Sequence, residues 1–197
     1  MMPLPTEHRS KHLTTGWLLV VCGLIGSASA VTLLIEKIAL LKDPSYIPTC
    51  SMNPILSCGS IMNTPQAEVF GFPNPILGVF GFAVITTLGA VLLAGADPQP
   101  WLWAGLQVGA TAGVVFVHWL IFQSLYVIGA LCPYCMIVWV ITIIIFTITT
   151  AHWTRNRPRA RVFNTYAPTL TTAWLLLITT LIAIRFWDYW ITTLPGG

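Results

Sequence analysis

Four of the five cysteines in this chain form two pairs suited to electron exchange: Cys50 and Cys58 in one polar stretch, and Cys132 and Cys135 in a Cys-Pro-Tyr-Cys motif. A CxxC spacing at a helix start puts both sulfurs on nearly the same face, within reach of one disulfide. Free backbone N–H groups and the positive dipole end there favour a thiolate at the first cysteine, Cys132. Cys135 lies one turn further along, toward the membrane interior. Exchange through a mixed disulfide needs a mobile attacking thiol, which a second pair in a loop supplies. Two readings of another class stand beside redox exchange: static structural disulfides, and a four-thiolate zinc site. The redox reading expects no metal.

The elements that must position these sulfurs are membrane helices. Hydrophobic residues make up 56% of the 197-residue chain and charged residues 8%, outside the range of soluble domains. Measured against the roughly 20 apolar residues that cross a bilayer, the runs predict five transmembrane helices, at about 16–41, 74–94, 101–128, 131–152 and 169–187. They leave an outer cysteine loop over 42–73, all within one membrane domain spanning 1–197. Run length excludes a transmembrane barrel. Arg9, Lys11 and the Ser27-Ala28-Ser29-Ala30 stretch resemble a cleavable leader, but the apolar run continues to Leu41 and reads as an uncleaved helix. Gly23, Gly26, Ser27 and Ala30 suit it to close helix packing.

Arg9 and Lys11 before the first helix, and Arg155, Arg157, Arg159 and Arg161 between the fourth and fifth, set orientation by the positive-inside rule. The N-terminus is then cytoplasmic, and the four paired cysteines and the C-terminus face an oxidising extracytoplasmic compartment. Trp17, Trp101, Trp103, Trp153, Trp187 and Trp190 fall at span ends and read as an aromatic belt. In the outer loop, Pro48 and Pro54 restrict the chain around Cys50, and Cys58-Gly59-Ser60 opens a half-polar stretch. Gln66 to Phe72 reads as a short interfacial helix with Val69, Phe70 and Phe72 toward lipid.

Taken in order, Asp43-x-x-Tyr46-x-x-x-Cys50, Cys58, Asn74-x-Ile76-x-Gly78 and Cys132-x-x-Cys135 resemble the vitamin K epoxide reductase family, in the form of a small bacterial homologue without a fused thioredoxin-like domain. The order of the pairs, loop pair first and CxxC later, is the reverse of that in the other bacterial quinone-linked disulfide oxidases. The resemblance implies an all-α membrane fold, with a four-helix bundle around a quinone pocket plus one peripheral helix. It gives Cys50 the encounter with an external dithiol, Cys58 the attack on Cys132, and Cys135 the contact with quinone. The implied electron acceptor is membrane menaquinone or ubiquinone. The implied partner is a separate thioredoxin-fold protein on the extracytoplasmic side of a bacterial plasma membrane, unless the chain is a piece of a longer protein.

By the same resemblance, Asn74, Thr64 and Trp139 join the quinone pocket, with Leu120 and Ile128, and also Leu77 and Phe82, as candidates to line the ring. Trp139 stands where relatives commonly carry tyrosine; its indole N–H can donate to a quinone carbonyl but cannot relay a proton. Pro73-Asn74-Pro75 also reads as an N-cap followed by proline at the first helical position, leaving the Asn74 amide group free to face a quinone oxygen. Thr64 before Pro65 could equally end a turn. His118 reads as a packed, hydrogen-bonded residue rather than a proton relay, and Cys22 as a small packing residue. Glu36, Lys37 and Arg185 near span ends read as snorkelling or paired charges. Glu68 could gate the loop or hold a proton near the pocket. The expected function is a quinone-linked disulfide oxidoreductase that supports disulfide formation; the alternative is a non-enzymatic membrane protein with structural disulfides or a metal site.

Overall fold

The computed structural model describes residues 5–155 and 161–193. Its helices are α1 (Pro5–Lys42), α2 (Cys58–Met62), α3 (Pro75–Leu93), α4 (Pro100–Phe122), α5 (Pro133–Thr154), α6 (Arg161–Arg185) and α7 (Trp187–Thr193). Among the described residues, five stretches are long and apolar enough to cross a membrane: His12–Lys42, Pro75–Leu93, Pro100–Ile128, Pro133–Thr154 and Val162–Arg185. The protein is therefore an all-α, multi-pass membrane protein. α1 and α6 begin earlier than the apolar runs suggest, because polar turns extend each helix beyond its lipid-compatible part. Residues 156–160, and with them Arg157 and Arg159 of the basic connection, lie outside the described residues.

The chain divides into two compact units, residues 1–153 and 154–197. The first holds α1 to α5, four of the five spans and every paired cysteine. The second holds α6 and α7; in it the Arg185 guanidinium lies 5.6 Å from the centroid of the Phe186 ring, a cation–π distance.

Within the first unit, α1 and α3 pack closely along their lengths. Lipid offers no hydrophobic drive to bring helices together, so association depends on backbones that can approach. Small residues provide that approach. A Cβ built at Gly89 would lie 2.7 Å from the Val20 backbone nitrogen, and one at Gly23 would lie 2.8 Å from that of Thr86. Around this seam a core gathers Leu19, Cys22, Phe82, Ile85 and Leu92 with Trp103, Leu106, Ile141 and Ile145 from the facing helices. Cys22 is thus a core residue. Trp103 departs from the expected belt: it is buried, and its ring stacks on that of His152 at 3.5 Å between centroids. Trp17, Trp101, Trp153 and Trp187 are exposed, as belt residues should be.

The last turn before the CxxC motif changes pitch. After Phe122 the chain continues as a π-helical segment, Gln123–Ile128, and stops at Gly129, whose φ of 72° is a left-handed conformation open to glycine at little cost. Ser124 ties off the turn: its carbonyl accepts the N–H groups of Gly129 and Ala130, and its hydroxyl donates to the Ala130 carbonyl. Leu131 is thereby presented to the outer loop. Its N–H donates to the Ile55 carbonyl at 2.7 Å and its carbonyl accepts the Ser57 N–H at 2.9 Å. This single parallel bridge between Leu56 and Leu131 fixes the register of the two cysteine segments.

Candidate active site

The bridge sets Cys58 beside Cys132. Cys58 opens α2, for which Ser57 is the N-cap, its hydroxyl accepting the Ser60 N–H at 3.2 Å. This short helix was not legible in the half-polar Cys58-Gly59-Ser60 stretch. Cys132 lies just before α5, with Pro133 as the first helical residue, and its sulfur accepts the Cys135 N–H at 3.4 Å as an N-cap side chain would.

Cys50 and Cys58 are joined as a disulfide, while Cys132 and Cys135 are free thiols. The Cys58 and Cys132 sulfurs are 3.0 Å apart. Cys50, Cys58 and Cys132 are all buried, with their sulfurs within 4.8 Å of one another. Two of these three sulfurs are already bonded, so the cluster has the composition of a disulfide facing an incoming thiol. Leu33, Leu40 and Met62 pack around it, with Tyr46 and Tyr134 at its edge.

The Cys132 thiol is held below its ordinary range. The Cys135 thiol donating to its sulfur is the largest cause, and the backbone N–H groups of Cys135 and Tyr134 add to it against the opposing effect of burial. A lowered thiol is a larger thiolate fraction at neutral pH, and the thiolate is the attacking species.

Cys135 also lines a partly open cavity of about 730 Å³ bounded by α1, α3, α4, α5 and the 42–73 loop. Its walls are almost wholly apolar, and its volume is that of a small-molecule site. Cys135, Trp139 and Thr142 line it from α5, Leu120, Gln123, Ser124 and Ile128 from α4 and the π-helical segment, and Asn74, Leu77 and Phe82 from the α3 side. Trp139 is buried. Thr64 is not among the lining residues. Its hydroxyl donates to the Ile61 carbonyl at 2.7 Å, closing the turn before the 3₁₀ segment Pro65–Glu68.

Asn74 lines the cavity but does not cap α3 with its side chain, and its backbone is itself helical. Its amide N–H₂ donates to the Gln66 carbonyl at 2.7 Å and its amide oxygen accepts the Val69 N–H at 3.2 Å. The amide therefore staples the outer loop across the top of the cavity, with one N–H of the donor group still to spend. The interfacial helix expected at Gln66–Phe72 is only that 3₁₀ turn, because Gly71 takes a φ of 79° and Pro73 follows. Val69, Phe70 and Phe72 remain exposed as expected. His118 lies outside the cavity lining, with Nδ1 at 2.8 Å from the Val114 carbonyl of its own helix.

Of the two roles expected for Glu36 and Lys37, snorkelling or paired, the structure shows partnered charges, with Lys37 paired to Glu68. They are buried at the end of α1 and bonded to the loop rather than snorkelling to its rim. The Glu36 carboxylate accepts the Tyr46 hydroxyl at 3.0 Å and the Thr49 N–H at 3.3 Å, together with the Thr49 hydroxyl. This hydrogen bond pushes the Tyr46 phenol pKa upward, with burial and the carboxylate charge adding to it. Lys37 donates to the Met62 carbonyl at 2.7 Å and pairs with Glu68 at 2.9 Å. Asp43 shapes the exit from α1, accepting the Ser45 N–H at 2.9 Å and its hydroxyl at 2.6 Å. Two opposite charges inside the end of an apolar run were the signal available in the sequence.

These features define a membrane protein with two adjacent cysteine pairs, one in the 42–73 loop and one opening onto an apolar cavity. Residues 17–150 match the Vitamin K epoxide reductase family, and the chain belongs to that family. It is an oxidoreductase of a family that couples disulfide chemistry to quinones and works with thioredoxin-like partners. No curated protein matches the chain.

Proposed function

We propose that this protein is a thiol:quinone oxidoreductase that takes electrons from a separate extracytoplasmic thioredoxin-fold dithiol protein, passes them from Cys50/Cys58 to Cys132/Cys135, and delivers them to membrane quinone. It thereby sustains disulfide formation in exported proteins. The observation that carries this reading is the 3.0 Å approach of Cys58 to Cys132, with Cys135 of the same motif lining the apolar cavity. One chain of sulfurs thus joins a polar loop to a space suited to a lipid-soluble ring. Near-attack geometries place reacting atoms about 3–3.5 Å apart.

The chemistry balances as three exchanges. An external thiolate attacks Cys50 and releases Cys58; the donor's second thiol then displaces Cys50, and the donor departs as a disulfide. The Cys58 thiolate attacks Cys132 of an oxidised Cys132–Cys135 pair and releases Cys135. Cys50 next attacks Cys58, restoring the loop disulfide and freeing Cys132. Two electrons and two protons now reside on Cys132 and Cys135, the state seen here. Re-forming their disulfide converts quinone to quinol. Asn74 and Trp139 offer N–H donors to the ring's oxygens, and Leu120 and Ile128 offer apolar walls.

The positive-inside rule applied to Arg9, Lys11 and Arg155 supports a cytoplasmic N-terminus and outward-facing cysteines in a bacterial plasma membrane. The test is thiol counting. Reduced protein given a quinone anaerobically should lose its Cys132 and Cys135 thiols and form quinol, one quinone per disulfide. Thiols that persist in excess quinone would defeat the proposal.

A further inference from the structure

Glu36 and Lys37 are neighbours on α1, and each holds a different half of the loop that carries the cysteines. Charged side chains are almost never this deeply buried without partners, and theirs all come from that loop. Glu36 holds Tyr46 and Thr49, the latter adjacent to Cys50. Lys37 holds Met62, the last residue of the helix that Cys58 begins, and Glu68 beyond it.

The surroundings of the two arms differ. Tyr46 is half-buried, Pro48 is buried, and Ile47 and Thr49 are exposed, so the Glu36 arm holds part-buried hydrogen bonds to a segment that reaches the surface. Met62 is 5% exposed, so the Lys37 arm ends on a buried carbonyl, with the ion pair to Glu68, whose side chain is 38% exposed, on its outer side. The relay makes opposite demands of the two cysteines. Cys50 is only 5% exposed yet must be reached from outside, whereas Cys58 must remain at Cys132.

We propose that Glu36 and Lys37 are positioning residues that divide the loop into a releasable half, gated by Glu36 at Cys50, and a fixed half, anchored by Lys37 at Cys58. This rests on the relay proposed above and assigns each half-reaction its own control. Breaking the Glu36 arm exposes Cys50 to an external dithiol without moving Cys58. Breaking the Lys37 arm loosens α2 at its Met62 end, leaving the Leu56–Leu131 bridge as the remaining hold on Cys58, without exposing Cys50.

The two half-reactions are measured separately on the full chain in detergent. The first is single-turnover reduction of Cys50–Cys58 by a reduced thioredoxin-fold protein. The second is formation of the Cys58–Cys132 bond in a Cys135→Ala background. Glu36→Gln, which keeps shape but weakens the acceptor, should speed the first by about tenfold and leave the second within about twofold. Lys37→Met should slow the second by about tenfold and leave the first within about twofold, and Lys37→Arg should restore it. Thr49→Ala and Glu68→Gln weaken the same arms without touching α1, leaving the Tyr46–Glu36 and Lys37–Met62 bonds in place, and should shift each half-reaction in the same direction by less if an α1 variant fails to fold. If all variants shift both half-reactions together, in step with their loss of melting temperature, the division of roles is overturned and the charges merely hold the fold. If wild-type Cys50–Cys58 resists every external dithiol, the relay falls, and this inference with it.

Discussion

Cys58 sits 3.0 Å from Cys132 while still bonded to Cys50, so one sulfur is shared in prospect between two partners. Removing Cys135 should make that sharing visible. In Cys135→Ala, the Cys132 thiolate that attacks Cys58 releases Cys50 and can no longer be recaptured by its own motif. Peptide mapping of acid-quenched protein should find Cys58 linked to Cys132 and Cys50 free. A Cys50–Cys132 link, or none, would remove Cys58 from the route.

The pH profile of that exchange follows from the lowered Cys132 thiol. A depressed pKa keeps the thiolate, and with it the exchange rate, down to a lower pH than an ordinary thiol would; the rate then falls as pH drops through the folded value. The Cys135 thiol is the leading cause, so Cys135→Ala should move the midpoint up. Cys135→Ser, which keeps an O–H donor, should lie below Cys135→Ala. The same midpoint in both variants would mean that backbone N–H groups alone set it.

Asn74 has a structural job as well as its proposed ligand. Asn74→Ala removes the hydrogen bonds to Gln66 and Val69 and should cost about 1–3 kcal/mol of stability. It should also raise KM for quinone by loosening the loop over the cavity. Unchanged melting and unchanged KM together would contradict both roles.

Trp139 separates hydrogen bonding from volume. Trp139→Phe loses the indole N–H while keeping an apolar ring, and should leave stability within about 1.5 kcal/mol. Loss of one hydrogen bond predicts a rise in quinone KM of about fivefold. Trp139→Ala should instead cost about 3–5 kcal/mol through the cavity it leaves. Equal quinone kinetics for wild type and Trp139→Phe would reduce the indole to packing.

The α1–α3 seam offers a test far from the sulfurs. Gly89→Leu has no room beside Val20, and overpacking of this kind costs about 1–3 kcal/mol. Thermal unfolding in detergent should show the loss, and a melt like that of wild type would mean that the helices can separate freely.

The five spans were legible in the sequence because run length against bilayer thickness is a local signal, and so was the CxxC pair at its helix start. The juxtaposition of Cys58 with Cys132 was not legible from residues alone, since it depends on a backbone bridge between Leu56 and Leu131, far apart in the chain. Asn74 shows the same limit. Its Pro-flanked position predicts a helix start correctly, but the partners of its amide come from loop folding. Trp103 reads as a belt residue by position and is core by packing. Glu36 and Lys37 carried a visible signal, two charges within an apolar run, yet only the folded loop shows that each holds a different segment of it, Tyr46 and Thr49 for one and Met62 and Glu68 for the other.

The most direct test of the relay is anaerobic quinone reduction in liposomes, driven by a reduced thioredoxin-fold protein, with wild type and Cys135→Ala side by side. Quinol should form with wild type and not with the variant, while the variant accumulates the Cys58–Cys132 bond. Equal quinol from both, or none from wild type with any thiol donor and quinone, would contradict electron transfer through Cys135.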